Sequence, residues 1–110
     1  MNHDPSTPLA KVLPAVDWVA YQDGAVVSRV IVKQKTGTVT LFAFDAGQEL
    51  SEHTAPFDAL VQVLDGQAEI TLAGQPLTVR TGELLVMPAN QPHALRAAVR
   101  FKMMLTMIRA

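Results

Sequence analysis

From Ala15 onward the chain is a succession of short runs rich in Val, Ile, Thr and Phe, broken by turn residues at intervals of about 8 to 12, with no window carrying a helical period. That pattern restricts the fold to an all-β sandwich or barrel. Val26, Ser28, Val30 and Val32 alternate with Val27, Arg29, Ile31 and Lys33, which predicts a strand with one mostly apolar face and one that turns basic. After a turn at Thr36 and Gly37, the run TVTLFAFD at 38–45 is apolar on both sides, as in a strand covered on both faces. Between 67 and 80, Ala68, Ile70 and Leu72 share a face with Leu77 and Val79 across a turn at Ala73, Gly74 and Gln75, the pattern of a β-hairpin. A turn at Thr81 and Gly82 leads to LLVMP, expected as a buried strand stopped by Pro88, and FKMMLTMI at 101–108 closes the fold.

With 110 residues and no break in composition, the chain is read as one domain, able to bury roughly two-thirds of its unfolded surface. Pro5, Pro8 and Pro14 predict a flexible arm over residues 1–15, in which His3 is solvated, followed by a barrel domain over 16–110. The absence of cysteine rules out disulfides and thiolate chemistry. Nine basic and ten acidic residues, scattered singly, give no footprint for nucleic acid or an anionic membrane. No apolar run approaches the roughly 18 residues that span a bilayer, and no basic stretch leads into an apolar one at the N-terminus, so a cytoplasmic protein is expected. The 49% hydrophobic content exceeds what a monomer of this size needs and points to a buried subunit interface.

Gly47, five residues, His53 and then Gly66, followed by Gly82, five residues, Pro88 and then His93, resembles the two-part signature of the cupin superfamily. The resemblance spans residues 47–97 and implies a double-stranded β-helix, or jelly-roll, barrel of the small single-domain RmlC-like kind. It also implies a homodimer, with Trp18 and Tyr21 packing the arm on a neighbouring subunit. In that family the first motif carries two histidines and a glutamate and the second carries one histidine, together a metal site. Laid on this chain, His53 and His93 take the outer histidine positions, while Ala55 stands for the second histidine and Ala59 for the glutamate. Asn90 replaces a glycine, a mild change because asparagine tolerates the left-handed backbone, and Ala97 replaces an asparagine.

With the family alignment, strand parity puts residues 53, 55, 59, 61 and 63 on the barrel interior, so the resemblance implies that Ala55, Ala59, Val61 and Val63 line the lumen; Met87 and Met103 are expected to line it as well. A catalytic zinc or iron site wants at least three protein ligands, and the two histidines supply two. A third could come from Asp58, if a bulge turned it inward, or from Glu49 at the mouth on the side of His53. Glu52 and Gln62 have the wrong parity, and Gln62 is expected on the outer face or in a subunit contact. The run Met103, Met104 and Met107 is expected to fill core and interface, although a thioether is one of the few soft groups available to join the two histidines on a metal. Phe42, Phe44, Phe57 and Phe101 are assigned to the core.

Three readings follow for a lumen that holds two imidazoles among aliphatic groups. The first is a small-molecule-binding cupin with no tightly bound metal. The second is a metal-dependent oxygenase or isomerase using a divalent transition metal and a reduced ligand set. The third is a metal-free enzyme with His53 or His93 as acid or base, similar to the sugar epimerases of the same barrel superfamily, although no supporting carboxylate is identifiable.

Overall fold

Turn residues cut the chain into segments too short for helices, and their β-branched and aromatic content favours pleated pairing. The computed structural model describes residues 7–109, so His3 lies outside the described residues. Among these, one turn of 3-10 helix, Ala15–Asp17, precedes nine strands. They are β1 (Val26–Gln34), β2 (Gly37–Phe44), β3 (Glu49–His53), β4 (Phe57–Asp65), β5 (Gln67–Leu72), β6 (Gln75–Arg80), β7 (Leu84–Met87), β8 (His93–Arg96) and β9 (Phe101–Arg109). A five-stranded sheet ordered β1-β2-β9-β4-β7 faces a four-stranded sheet ordered β3-β8-β5-β6, and the pairings are antiparallel. The architecture is the all-β jelly roll that the resemblance implies.

Inward side chains of both sheets meet in one core that includes Phe44, Val61, Val63, Ile70, Phe101 and Met103. Phe44 and Phe101 are register partners on β2 and β9, and their rings stack at 4.5 Å between centroids. Full burial of each such ring contributes about 1.5–3 kcal/mol, so this layer anchors the floor of the barrel. The predicted hairpin forms as β5 and β6, joined by Ala73 and Gly74 with φ of 49° and 81°, a two-residue turn with both central residues left-handed. Gly66 is required for a different reason. Its φ is +73°, and a Cβ there would meet the carbonyl oxygen of Arg100.

The run at 38–45 is covered on both faces, as its composition predicts. Thr40 and Phe44 are buried on the inner side, while Leu41 and Ala43 on the outer side are buried under Ala15, Trp18, Val19 and Tyr21. Trp18 and Tyr21 thus pack on the chain's own sheet, where the resemblance had implied a neighbouring subunit. Polar contacts hold the segment down: Lys102 Nζ donates to the Val16 carbonyl at 2.7 Å, and the Tyr21 hydroxyl donates to Asp65 at 2.6 Å. The Arg100 guanidinium lies 4.3 Å from the Tyr21 ring centre.

Two strands depart from the sequence reading. In β1 a bulge between Val30 and Val32 breaks the alternation, so Val32 opposes Val39 instead of continuing the face of Val30. LLVMP is not buried throughout: β7 is an edge strand whose inner face carries Leu85 and Met87 while Leu84 and Val86 are 60% and 55% exposed. No helix among the described residues is long and apolar enough to cross a membrane.

Burial, followed by the hydrogen bond from Tyr21 to Asp65 and the charge of Asp65, raises the Tyr21 phenol above its ordinary value, with Arg100 opposing in part. A raised folded pKa contributes stability that is complete below the unfolded value of about 10 and is lost as pH rises through the folded one. The melting temperature is therefore expected to fall from about pH 10 upward, with part of that decline absent in Tyr21→Phe. An alkaline limb of equal depth in both proteins would contradict the role given to this phenol.

Candidate functional site

His53 ends β3 and His93 begins β8, and the two are direct cross-strand partners. Their rings meet edge to face with centroids 4.2 Å apart. His53 is exposed while His93 is only 7% exposed, so the pair joins the barrel mouth to its interior. Each ring is fixed by a main-chain carbonyl two residues before it. His53 Nδ1–H donates to Ser51 O at 2.8 Å and His93 Nδ1–H donates to Gln91 O at 3.1 Å. A carbonyl can only accept, so Nδ1 of each ring carries a proton, and in the neutral form of either imidazole the lone pair is on Nε2.

The loops that deliver the rings are tied together. Asn90 takes φ of +65°, the left-handed conformation expected of a glycine substitute, and its N–H donates to Ala55 O at 2.8 Å. The Ala89 N–H donates to Asp58 Oδ1 at 2.9 Å. Asp58 therefore faces outward and braces the loop before His93, because its parity on β4 is opposite to that of the inward Ala59. It is not a lumen ligand.

Glu49 is also outside the lumen, and the cause is a register shift. Counting by twos from His53 puts Glu49 on the same face, but a bulge between Leu50 and His53 reverses the parity, so that Leu50 and His53 both point inward. Glu49 instead lies on the outer face of the four-stranded sheet, in a groove of about 490 Å³. There Arg96 stands opposite Glu49 on one neighbouring strand and Glu69 on the other.

Below the histidines is a cavity of about 60 Å³, whose wall includes His53, His93, Ala55, Ala59, Met87 and Met103. Leucines at 50, 95 and 105 and Met107 complete it. Val61 and Val63, assigned above to the lumen lining, share its face but lie deeper, 0% and 1% exposed in the core and away from the cavity. Met107, which the sequence does not single out as a lining residue, reaches the cavity as well. The sequence signal was its placement on the face of Met103, which puts it on the same inward side of β9.

Comparison with known proteins agrees with this architecture. The family model described as "Cupin domain" matches residues 40–109. The chain belongs to the cupin family. A conserved protein of unknown function from Streptococcus pyogenes is 36% identical, with a TM-score of 0.92 over 100% of this chain and 96% of that one. A cupin 2 conserved barrel domain protein from Leptotrichia buccalis is 40% identical with a TM-score of 0.83, covering 86% of this chain and 46% of that longer one. A cupin superfamily protein from Desulfitobacterium hafniense is 27% identical with a TM-score of 0.88, over 94% of this chain and 95% of that one. No protein with a curated description matches.

The donors present do not fit the histidine and glutamate set that the family motif implies. Among the described residues no three histidine, cysteine, aspartate or glutamate side chains converge to hold an ion. Rebuilding that set is a direct check. Ala55→His combined with Ala59→Glu is expected to take up one Zn(II) or Mn(II) per chain by isothermal titration, while the native chain takes up neither. Without metal the double variant should lose about 1–3 kcal/mol of stability, because the larger side chains overpack the cavity. Uptake by the native chain equal to that of the variant would overturn this account of the donor set.

Proposed function

We propose that the chain is a ligand-binding cupin whose site is the His53 and His93 pair with the short lumen beneath it, and that a divalent metal plays no strong part. One observation carries this reading: both Nδ1 atoms are engaged with main-chain carbonyls, which leaves Nε2 as the nitrogen each ring can offer a guest, and both histidines line an otherwise apolar cavity. Two fixed acceptors in an apolar wall orient a guest with few competing contacts.

Size narrows the guest. A cavity of about 60 Å³ is far below the roughly 300–1,000 Å³ of sites that enclose a drug-sized molecule. The guest is an ion or the polar head of a small molecule whose remainder stays at the mouth beside the exposed His53. Acid or base catalysis of the epimerase kind is less well supported, since carbonyls and not a carboxylate hold the Nδ1 protons. A carbonyl does not stabilise an imidazolium as an anion does.

A thermal-shift screen with small acids, phenols, sugars and metal salts, followed by NMR of the imidazole nitrogens, tests the site. Any compound that raises the melting temperature is expected to move the Nε2 signals of both His53 and His93 and to lose its effect in His53→Ala and His93→Ala. A stabilising compound that acts equally on those variants, or that is lost in Arg96→Ala instead, would move the site to the outer groove and contradict the proposal.

A further inference from the structure

Ala59, where the family motif has its glutamate, is flanked by two thioethers. It is the register partner of Met87 on β7 and of Met107 on β9, and all three side chains reach the cavity. Met103, one inward step before Leu105 on β9, reaches it too. The lone-pair donors among the lining side chains are therefore two imidazole nitrogens and three thioether sulfurs, with no side-chain oxygen.

We infer that this lumen takes a soft monovalent metal ion, Cu(I), held by Nε2 of His53 and His93 and by a thioether of Met87 or Met107. The inference rests on reading the lumen as the ligand site and names the class of guest. Charge decides against divalent ions. Every donor is neutral, so a bound ion keeps its full charge in an apolar cavity, and because the Born cost grows as the square of that charge, it is about four times larger for a divalent ion. Softness decides among monovalent ions. Alkali cations need oxygen ligands that the lining side chains lack, whereas imidazole with thioether suits Cu(I). The carbonyls of Ser51 and Gln91 supply the support that metal-binding histidines need, fixing the tautomer that leaves Nε2 available. The exposure of His53 gives the ion a route inward.

Anaerobic competition for Cu(I) against bicinchoninate, with X-ray absorption at the copper edge, tests this on the full chain. One Cu(I) per chain is expected, with both nitrogen and sulfur scatterers and no comparable uptake of Zn(II). Binding should weaken about tenfold or more in the Met87→Leu, Met107→Leu double variant, a volume-conserving change that the core tolerates, and should vanish in His53→Ala with His93→Ala. Melting curves confirm that each variant is folded. Failure of the native chain to retain Cu(I), while other compounds still move the two imidazoles, would overturn the inference and leave the ligand site standing. Retention unchanged by the methionine substitutions, without sulfur scatterers, would overturn the thioether assignment. Retention unchanged by the histidine substitutions would overturn both the inference and the site.

Discussion

The pairing of His53 with His93 across β3 and β8, set by a bulge in β3, determines the chemistry of this barrel. The bulge admits an extra residue between Leu50 and His53, which keeps both on the inner face and sends Glu49 to the outer one. Without it, an acidic side chain would share the lumen with His53. With it, the lining of the lumen holds no carboxylate, and its two imidazoles lie 4.2 Å apart between centroids.

Several other features serve that pair. The loop before His93 is tied to the start of β4 by the Ala89 N–H that donates to Asp58, and to the segment between His53 and β4 by the N–H of the left-handed Asn90, which donates to the Ala55 carbonyl. The stacked Phe44 and Phe101 close the floor of the core, and the segment from Ala15 to Tyr21 covers the outer face of β2. With the walls fixed in this way, the short side chains at 55 and 59 leave a small cavity instead of a ligand shell. Its capacity follows from what surrounds it: neutral nitrogens, thioethers and aliphatic carbon. Such a wall stabilises a polar head or a soft ion better than a doubly charged one.

Much of this was legible in the sequence. Alternation in 67–80 gave the hairpin, the doubly apolar run at 38–45 gave a strand covered on both faces, and the glycine, proline and histidine spacing resembled the cupin signature closely enough to place His53 beside His93. Parity also placed Ala55 and Ala59 correctly. It failed at Glu49 and in β1 because a bulge leaves no compositional mark: one inserted residue reverses every later assignment. An apolar run such as LLVMP looks alike in sequence whether one face or both is covered, and only topology makes β7 an edge. Only the resemblance puts Trp18 and Tyr21 on another subunit, and no local pattern in the sequence shows that this segment packs on the outer face of β2 in its own chain.

The central claim is that main-chain carbonyls fix both rings with the proton on Nδ1, leaving two Nε2 lone pairs for a guest. Long-range proton–nitrogen NMR of the imidazoles, recorded well above the ordinary imidazole titration range, reads that directly. Protonated Nδ1 and unprotonated Nε2 in both His53 and His93 is the predicted result. A proton resident on Nε2 of either ring, or averaged signals showing that each ring exchanges freely between tautomers, would contradict it.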